Sequence, residues 1–206
     1  MRTFKFTVFL AGILLCFSAW AATPNPMDML QPLSNRMLAA LKANRPKLRQ
    51  NPNYIYTLVD RIILPHVDVL GMSRSVLGRN AWTSATPAEQ KAFTKAFTRV
   101  VVGTYASALN AYKDETVRFF PMRGSYEGQR RVMIRSQVER HDGPPIPLDY
   151  RLALKGNRWV IYDLNVEGVS LLQSFYAQFS SALSQGKTVT QLTRDLQHKN
   201  IKQRTR

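Results

Sequence analysis

Residues 130–166 read RRVMIRSQVERHDGPPIPLDYRLALKGNRWVIYDLNV, and this stretch decides the fold. Val132, Ile134, Ser136 and Val138 alternate with polar neighbours, the period of a half-buried strand. His141-Asp142-Gly143-Pro144-Pro145 is a turn. Leu148, Tyr150, Leu152 and Leu154 then alternate against Asp149, Arg151 and Ala153. Lys155-Gly156-Asn157 is a tight hairpin connection, and Val160, Tyr162, Leu164 and Val166 complete a third strand. Three strands joined by short turns predict an antiparallel meander with one apolar face. A shorter strand, Glu115 to Phe120, precedes it.

Outward from the meander, the spacing is helical on both sides. Asn25-Pro26 resembles a cap followed by proline at the first helical position, with Met27, Leu30, Met37, Leu38 and Leu41 at helical spacing. Pro32 interrupts this run and favours a later start. Asn51-Pro52 opens a second helix, which Pro65 ends. A short third helix is expected from Asp68 to Leu77, stopping at Gly78. Thr86-Pro87-Ala88-Glu89 is a capping box, and it opens the longest helix, with Phe93, Phe97, Val100, Val101, Thr104, Tyr105, Ala108 and Leu109 as a wide apolar stripe. After the meander, Leu171, Leu172, Phe175, Phe179 and Leu183 mark a helix from Gly168. Val189, Leu192 and Leu196 mark another. The expected architecture is α+β: a curved antiparallel sheet packed against several helices, with an apolar cavity between the layers.

The chain of 206 residues carries 29 Lys+Arg against 13 Asp+Glu, a formal charge of +16. At its start, Arg2 and Lys5 precede an apolar run from Phe6 to Phe17, and Ala19 and Ala21 stand where a signal peptidase reads small residues. Residues 1–21 are therefore expected to be a cleavable signal peptide, cut after Ala21. The run is shorter than the ~20 residues a spanning helix needs. The only cysteine, Cys16, lies in this segment, so a mature chain has no thiol, disulfide or cysteine-based metal site. Residues 22–200 are expected to form a single α+β domain and 201–206 a basic tail.

Catalytic constellations are missing. His66, His141 and His198 lie in unrelated settings, with no His-x-x-x-His pair. There is no Gly-x-Ser-x-Gly elbow and no phosphate-cradling glycine loop. Asp68, Asp149, Asp163 and Glu167 are the acids nearest the apolar elements. Asp163 and Glu167 lie opposite the apolar row, as charges on a solvated face would. A carboxylate buried in a helix-capped sheet would instead supply a general base, which keeps an exported enzyme as the alternative. Export also argues against nucleic acid as the partner of the basic surface. Anionic lipid or an acidic partner fits better, with Arg130, Arg131 and Arg135 on or beside one strand as candidate docking residues.

Several stretches carry a resemblance. His66-Val67-Asp68, Met72-Ser73, Val76-Leu77-Gly78 and Trp82 run into Thr86-Pro87-Ala88-Glu89-Gln90, and Thr104-Tyr105-Ala106 follows. Trp159 to Asp163 and Val166 to Leu171 join the last strand to its helix, with Gln178-Phe179 beyond. Together, over about residues 27–200, these resemble the MlaC or toluene-tolerance family of periplasmic phospholipid-binding proteins. Ser174-Phe175-Tyr176 departs from the Asn-Tyr-Arg-like triplet of that family. The resemblance implies a fold related to NTF2-like and cystatin-like sheets with added helices. It also implies a soluble carrier that shuttles phospholipid between the outer membrane and an inner-membrane ABC transporter complex, maintaining outer-membrane lipid asymmetry. The implied partners are the transporter's lipid-binding subunit, an outer-membrane lipoprotein complex and transient membrane contact. No cofactor or catalytic residue is implied. The enzyme alternative is then an NTF2-like one. The apolar faces supply the expected tail pocket: Val100, Val101, Tyr105 and Leu109 on the long helix; Val132, Ile134, Tyr150, Leu152, Leu154, Val160 and Tyr162 on the strands; and Leu171, Phe175 and Phe179 on the following helix.

Overall fold

The computed structural model describes residues 23–204; the expected signal peptide and its cleavage point lie outside them. Five helices come first: α1 (Met27–Ala43), α2 (Arg45–Gln50), α3 (Tyr54–Ile62), α4 (Val69–Ser84) and α5 (Pro87–Asn110), with a 3-10 turn at Leu64–His66 before α4. Six strands follow: β1 (Thr116–Phe119), β2 (Arg131–Ile134), β3 (Ser136–Glu139), β4 (Ile146–Lys155), β5 (Arg158–Val166) and β6 (Val169–Ser170). The described chain ends with α6 (Leu171–Ser184) and α7 (Val189–Arg204).

The helix boundaries follow local chemistry. Asn25 Oδ1 accepts the Met27 N–H at 3.0 Å, and α1 starts there and runs through Pro32 rather than beginning after it. Thr86 and Glu89 form the reciprocal capping box expected for α5. The helix expected to stop at Gly78 breaks there, at φ 75°, then resumes to Ser84. Only a residue without a Cβ takes that conformation freely. α7 continues through Arg204, which stacks over Tyr56 and donates to Asn53 Oδ1. Its end seats against Gly103 of α5, where a Cβ would collide with Gln203 and with the Tyr56 hydroxyl.

The described strands form one antiparallel sheet in the order β1-β3-β4-β5-β6, with β2 also paired to β4. β2 and β3 keep one register along β4, Ile134 opposite Tyr150 and Val138 opposite Ile146. They act as a single strand interrupted at Arg135. β5 holds an irregularity: Arg151 faces Asp163, yet Leu152 faces Ile161, so β5 carries one extra residue, Tyr162. Such a bulge bends the strand and reverses which residues face inward. The inner row of β5 is therefore Trp159, Ile161, Leu164 and Val166. Val160 and Tyr162, expected on that row, lie on the other face.

Three buried clusters hold the layers. Phe93 and Phe97 of α5 pack edge-to-face with Phe175 and Phe179 of α6 among residues of α4 and α7; the Phe97–Phe175 centroids are 5.2 Å apart at 88°. Met37, Leu41, Leu48, Ile55 and Val59 join α1, α2 and α3 to α5 at Val102. Leu30 and Leu33 of α1 pack on Ile134, Leu152, Trp159 and Ile161 of the sheet. The parallel bridge between Val67 and Ile161, with Asp68 N–H donating to Ile161 O at 2.8 Å, ties the start of α4 to β5.

Candidate functional site: an apolar cavity between sheet and helices

A cavity of about 570 Å³ lies between the inner face of the sheet and helices α1, α3 and α5. Its roof is α5, through Val101, Tyr105 and Leu109. Its floor is the half of the sheet carrying Val117, Val138, Ile146, Leu148, Tyr150, Leu164 and Val166. Leu33, Met37 and Leu41 of α1, Val59 of α3, and Ile63, Leu64 and Val67 beyond it make the side wall. The volume falls within the ~300–1,000 Å³ usual for small-ligand sites. The lining is almost wholly hydrocarbon, so its affinity is for apolar matter removed from water. Burial pushes the Tyr150 phenol up to about 12 and raises Tyr105 as well. Both hydroxyls stay protonated and bring no charge into the space.

Charge appears only where the cavity opens. Lys113, Glu115, Arg140 and Asp142 line that end, and the Lys113 and Asp142 side chains are 75% and 63% exposed, which marks it as the mouth. Lys113 Nζ sits 3.4 Å from Asp142 Oδ2, linking the end of α5 to the β3–β4 turn. Arg140 Nε donates to Pro144 O at 3.1 Å. Nearby, Arg45 pairs with Asp114 at 2.8 Å and lies over the Tyr112 ring. Groups of both signs stand at the rim. An amphiphile placed here keeps its tails in hydrocarbon and its polar end in water among both signs of charge.

The MlaC protein family model matches residues 31–198. The chain belongs to the MlaC family. The toluene tolerance protein Ttg2D of Pseudomonas putida is 28% identical over 176 residues, covering 84% of this chain and 81% of that protein. The intermembrane phospholipid transport system binding protein MlaC of Haemophilus influenzae is 28% identical over 192 residues, covering 91% and 88%. A phospholipid-binding protein from Ralstonia solanacearum, solved in complex with a phospholipid, superposes with a TM-score of 0.81 at 30% identity, covering 87% of this chain and 99% of its own.

In this MlaC family member, the structure places Val101, Tyr105, Leu109, Tyr150 and Leu171, of the expected pocket residues, at the cavity wall. The other expected pocket residues lie elsewhere, for three reasons. Val100, Phe175 and Phe179 belong to the solid cluster of α4, α5, α6 and α7, because the α5 stripe is wide enough to serve two cores. Ile134 and Leu152 are fully buried under α1, with Val132 and Leu154 packed beside them. Val160 and Tyr162 are turned outward by the β5 bulge. The α1 and α3 wall was missed: its residues read as ordinary amphipathic helix, and no local pattern says which neighbour an apolar face meets. Val138 and Val166 were on the predicted inner rows; Val117 lies on the short strand expected from Glu115 to Phe120, to which no inner row was assigned.

The acids and arginines also have definite places. Asp163 is not on a solvated face. It is 1% exposed, its Oδ2 accepts from Ser170 Oγ at 2.6 Å, its Oδ1 accepts from Leu172 N–H at 3.0 Å, and Arg151 Nη1 lies 3.6 Å away. It anchors the N-terminus of α6, where a carboxylate complements the unpaired amides, and it does not line the cavity. Asp68 caps α4 through Gly71 N–H and pairs with Lys155. Arg131 and Arg135 share the outer face of the sheet, whereas Arg130 precedes β2 at its exposed end.

Proposed function

We propose that this protein is a phospholipid carrier whose acyl tails occupy the α5-roofed cavity while the headgroup stays at the charged mouth. The observation that carries the proposal is the apolar cavity itself, closed by α1, α3, α5 and the sheet and open at the Lys113–Asp142 rim. Burying each methylene is worth ~0.8 kcal/mol, so two tails with on the order of 30 methylenes would cost roughly 24 kcal/mol in water. A carrier must therefore enclose its cargo rather than hold it on a patch. The Ralstonia solanacearum relative, solved with a phospholipid and alike over most of both chains, supports the same reading.

Family membership and the expected export signal support a wider role. The protein works in the periplasm, shuttling phospholipid between the outer membrane and an inner-membrane ABC transporter complex, and so maintains outer-membrane lipid asymmetry. Its partners are the transporter's lipid-binding subunit and an outer-membrane lipoprotein complex, with brief contact at the membrane surface. Binding needs no cofactor and no catalytic residue. An exported enzyme with Asp163 as base is disfavoured, because both carboxylate oxygens are engaged and neither meets the cavity.

Native mass spectrometry of protein purified from a membrane-rich lysate, followed by lipid extraction, tests the proposal. The expected result is a phospholipid mass on the folded chain. Lipid-free protein that also takes up nothing from liposomes would overturn it.

A further inference from the structure

On the outer face of the sheet, away from the cavity, two arginines are held without a carboxylate. The Arg131 guanidinium lies over the Tyr162 ring at 5.2 Å, and that of Arg135 lies over Phe120 at 5.9 Å. Among the described residues neither forms an ion pair, although Asp149 is on the same face. Their neighbours are spoken for: Arg151 sits beside buried Asp163, and Arg118, also over Phe120, lies 3.9 Å from Glu139. Between the two free guanidiniums in sequence and on the same face, Met133 is 47% exposed.

An arginine stacked on a ring is already oriented, and its N–H groups remain available to a carboxylate. Fixing the side chain beforehand lowers the ordering cost of a later contact. We infer that the outer sheet face around Arg131, Met133 and Arg135 is a docking surface for an acidic protein segment that sets carboxylates on the two guanidiniums and an apolar side chain on Met133. Paired carboxylates match the fork of a guanidinium. A bilayer matches this face less well. Two basic residues, Arg131 exposed and Arg135 half-buried, gain about fivefold each at an anionic lipid surface, and both rings are half-buried beneath arginines rather than free to insert. The cavity mouth also lies elsewhere, at the Lys113–Asp142 end. A partner seated here holds the carrier while leaving that mouth open. The inference rests on the carrier reading only for the purpose of docking.

The test uses a fluorescent peptide of alternating glutamate and leucine as the acidic segment, and phosphatidylglycerol vesicles as the bilayer. Wild type is compared with a double reversal, Arg131→Glu with Arg135→Glu. A matched reversal on exposed α5 positions, Lys91→Glu with Lys95→Glu, serves as the control. The outer-face pair is expected to weaken peptide binding about tenfold and to flatten its salt dependence. The α5 pair should leave binding near wild type. The neutral pair Arg131→Gln with Arg135→Gln should reproduce the loss, which covers any misfolding of the reversal. An equal loss from both reversals would assign the attraction to overall charge and overturn the inference. Vesicle binding that depends on Arg131 and Arg135 while peptide binding does not would overturn it in favour of a bilayer. Lipid occupancy, read separately by native mass spectrometry, should be the same in all variants. A lipid-free wild type would sink the carrier reading without touching the docking result.

Discussion

At one end of the sheet Ile134, Leu152 and Trp159 receive Leu30 and Leu33 of α1 directly, and all five are nearly inaccessible to solvent. At the other end Val117, Val138 and Val166 face Val101, Tyr105 and Leu109 of α5 across open space. β4 and β5 run through both ends, and β4 keeps one alternation throughout while β5 changes its parity at Tyr162. The division falls at the level of Tyr150, where β2 gives way to β3 at Arg135 and the β5 bulge lies one residue pair away. Bulges and interruptions bend a sheet. Here they mark the level at which close contact with α1 gives way to a gap. Buried Ser136, just past the division, keeps its hydroxyl satisfied by donating to Leu148 O. The filled end sets the position of the strands, and the hollow end is thereby free to stay open.

The largest contrast should come from truncating and filling the two ends. Leu152→Ala removes a fully buried side chain from packed surroundings and is expected to cost about 2–5 kcal/mol, a drop in Tm on the order of 10 °C. Leu152→Asn, which buries an amide at the same place, should also destabilise the fold rather than act on cargo. Val138→Ala, whose methyls face the cavity, should cost about 1 kcal/mol or less. Val101→Trp fills that space and should reverse the pattern, leaving the melting temperature near wild type while cutting bound lipid about tenfold. Thermal melts paired with native mass spectrometry decide the matter. Equal loss of lipid from Leu152→Ala and Val101→Trp per folded molecule would erase the distinction between the ends.

This contrast also explains what the sequence could and could not reveal. The α+β architecture, the capping box at Thr86 and the inner rows of β2, β3 and β4 follow from local periodicity, because burial of one face imposes a period of two or 3.6. On β5 the run Trp159-Val160-Ile161-Tyr162 is apolar at every position, so either parity fits. The bulge at Tyr162 is a tertiary choice with no local sign. Val132, Ile134, Leu152 and Leu154, expected at the pocket, lie in the cluster under α1 for a related reason. Periodicity tells which side of Val132, Ile134 or Leu152 is dry, yet whether that side meets a helix or a gap depends on the distance of α1 and α5 from the sheet. On α5 the sequence did not separate Val100 from Val101, Tyr105 and Leu109; in the structure those three line the cavity, while Val100 joins Phe97 in the cluster with α6 and α7. The family resemblance supplied the expectation of a pocket and left its walls to the structure.

A smaller effect is expected at the joint between sheet and α6. Asp163→Asn keeps the size of the side chain but removes the charge that Ser170, Leu172 N–H and Arg151 surround. One acceptor oxygen is lost, Arg151 loses its counter-charge, and α6 loses an anion at its N-terminus. The cost should be about 1–3 kcal/mol, seen as a lower denaturant midpoint with an unchanged m-value. Because Asp163 lies outside the cavity, lipid occupancy of the folded variant should match wild type. A variant of normal stability that fails to hold lipid would place Asp163 in the binding machinery and extend the hollow end to the outer layer.

The smallest effect concerns pH and the wall beside the hollow end. His66 closes the 3-10 turn whose Leu64 lines the cavity. Its Nε2 lies 3.3 Å from Arg36 Nη2 of α1, a contact a neutral imidazole can accept. Partial burial first, then the positive charges of Arg36 and Arg158, hold its pKa below the usual 6.5. The unfolded chain therefore takes up a proton at a higher pH than the native one. Unfolding binds a proton in the window between the two pKa values, so stability rises with pH across that window and falls as pH drops below 6.5. The loss levels off once the native histidine is also protonated. His66→Gln should remove this part of the pH slope while keeping a hydrogen-bonding side chain beside Arg36. In hydrogen exchange, the Asp68 amide bonded to Ile161 should lose protection, as pH falls below 6.5, before the amides of β2 do, since the protonated ring repels Arg36 and Arg158 next to that joint. Equal loosening at both places, or a slope that survives His66→Gln, would show that pH acts on the whole fold and not on the wall of the cavity.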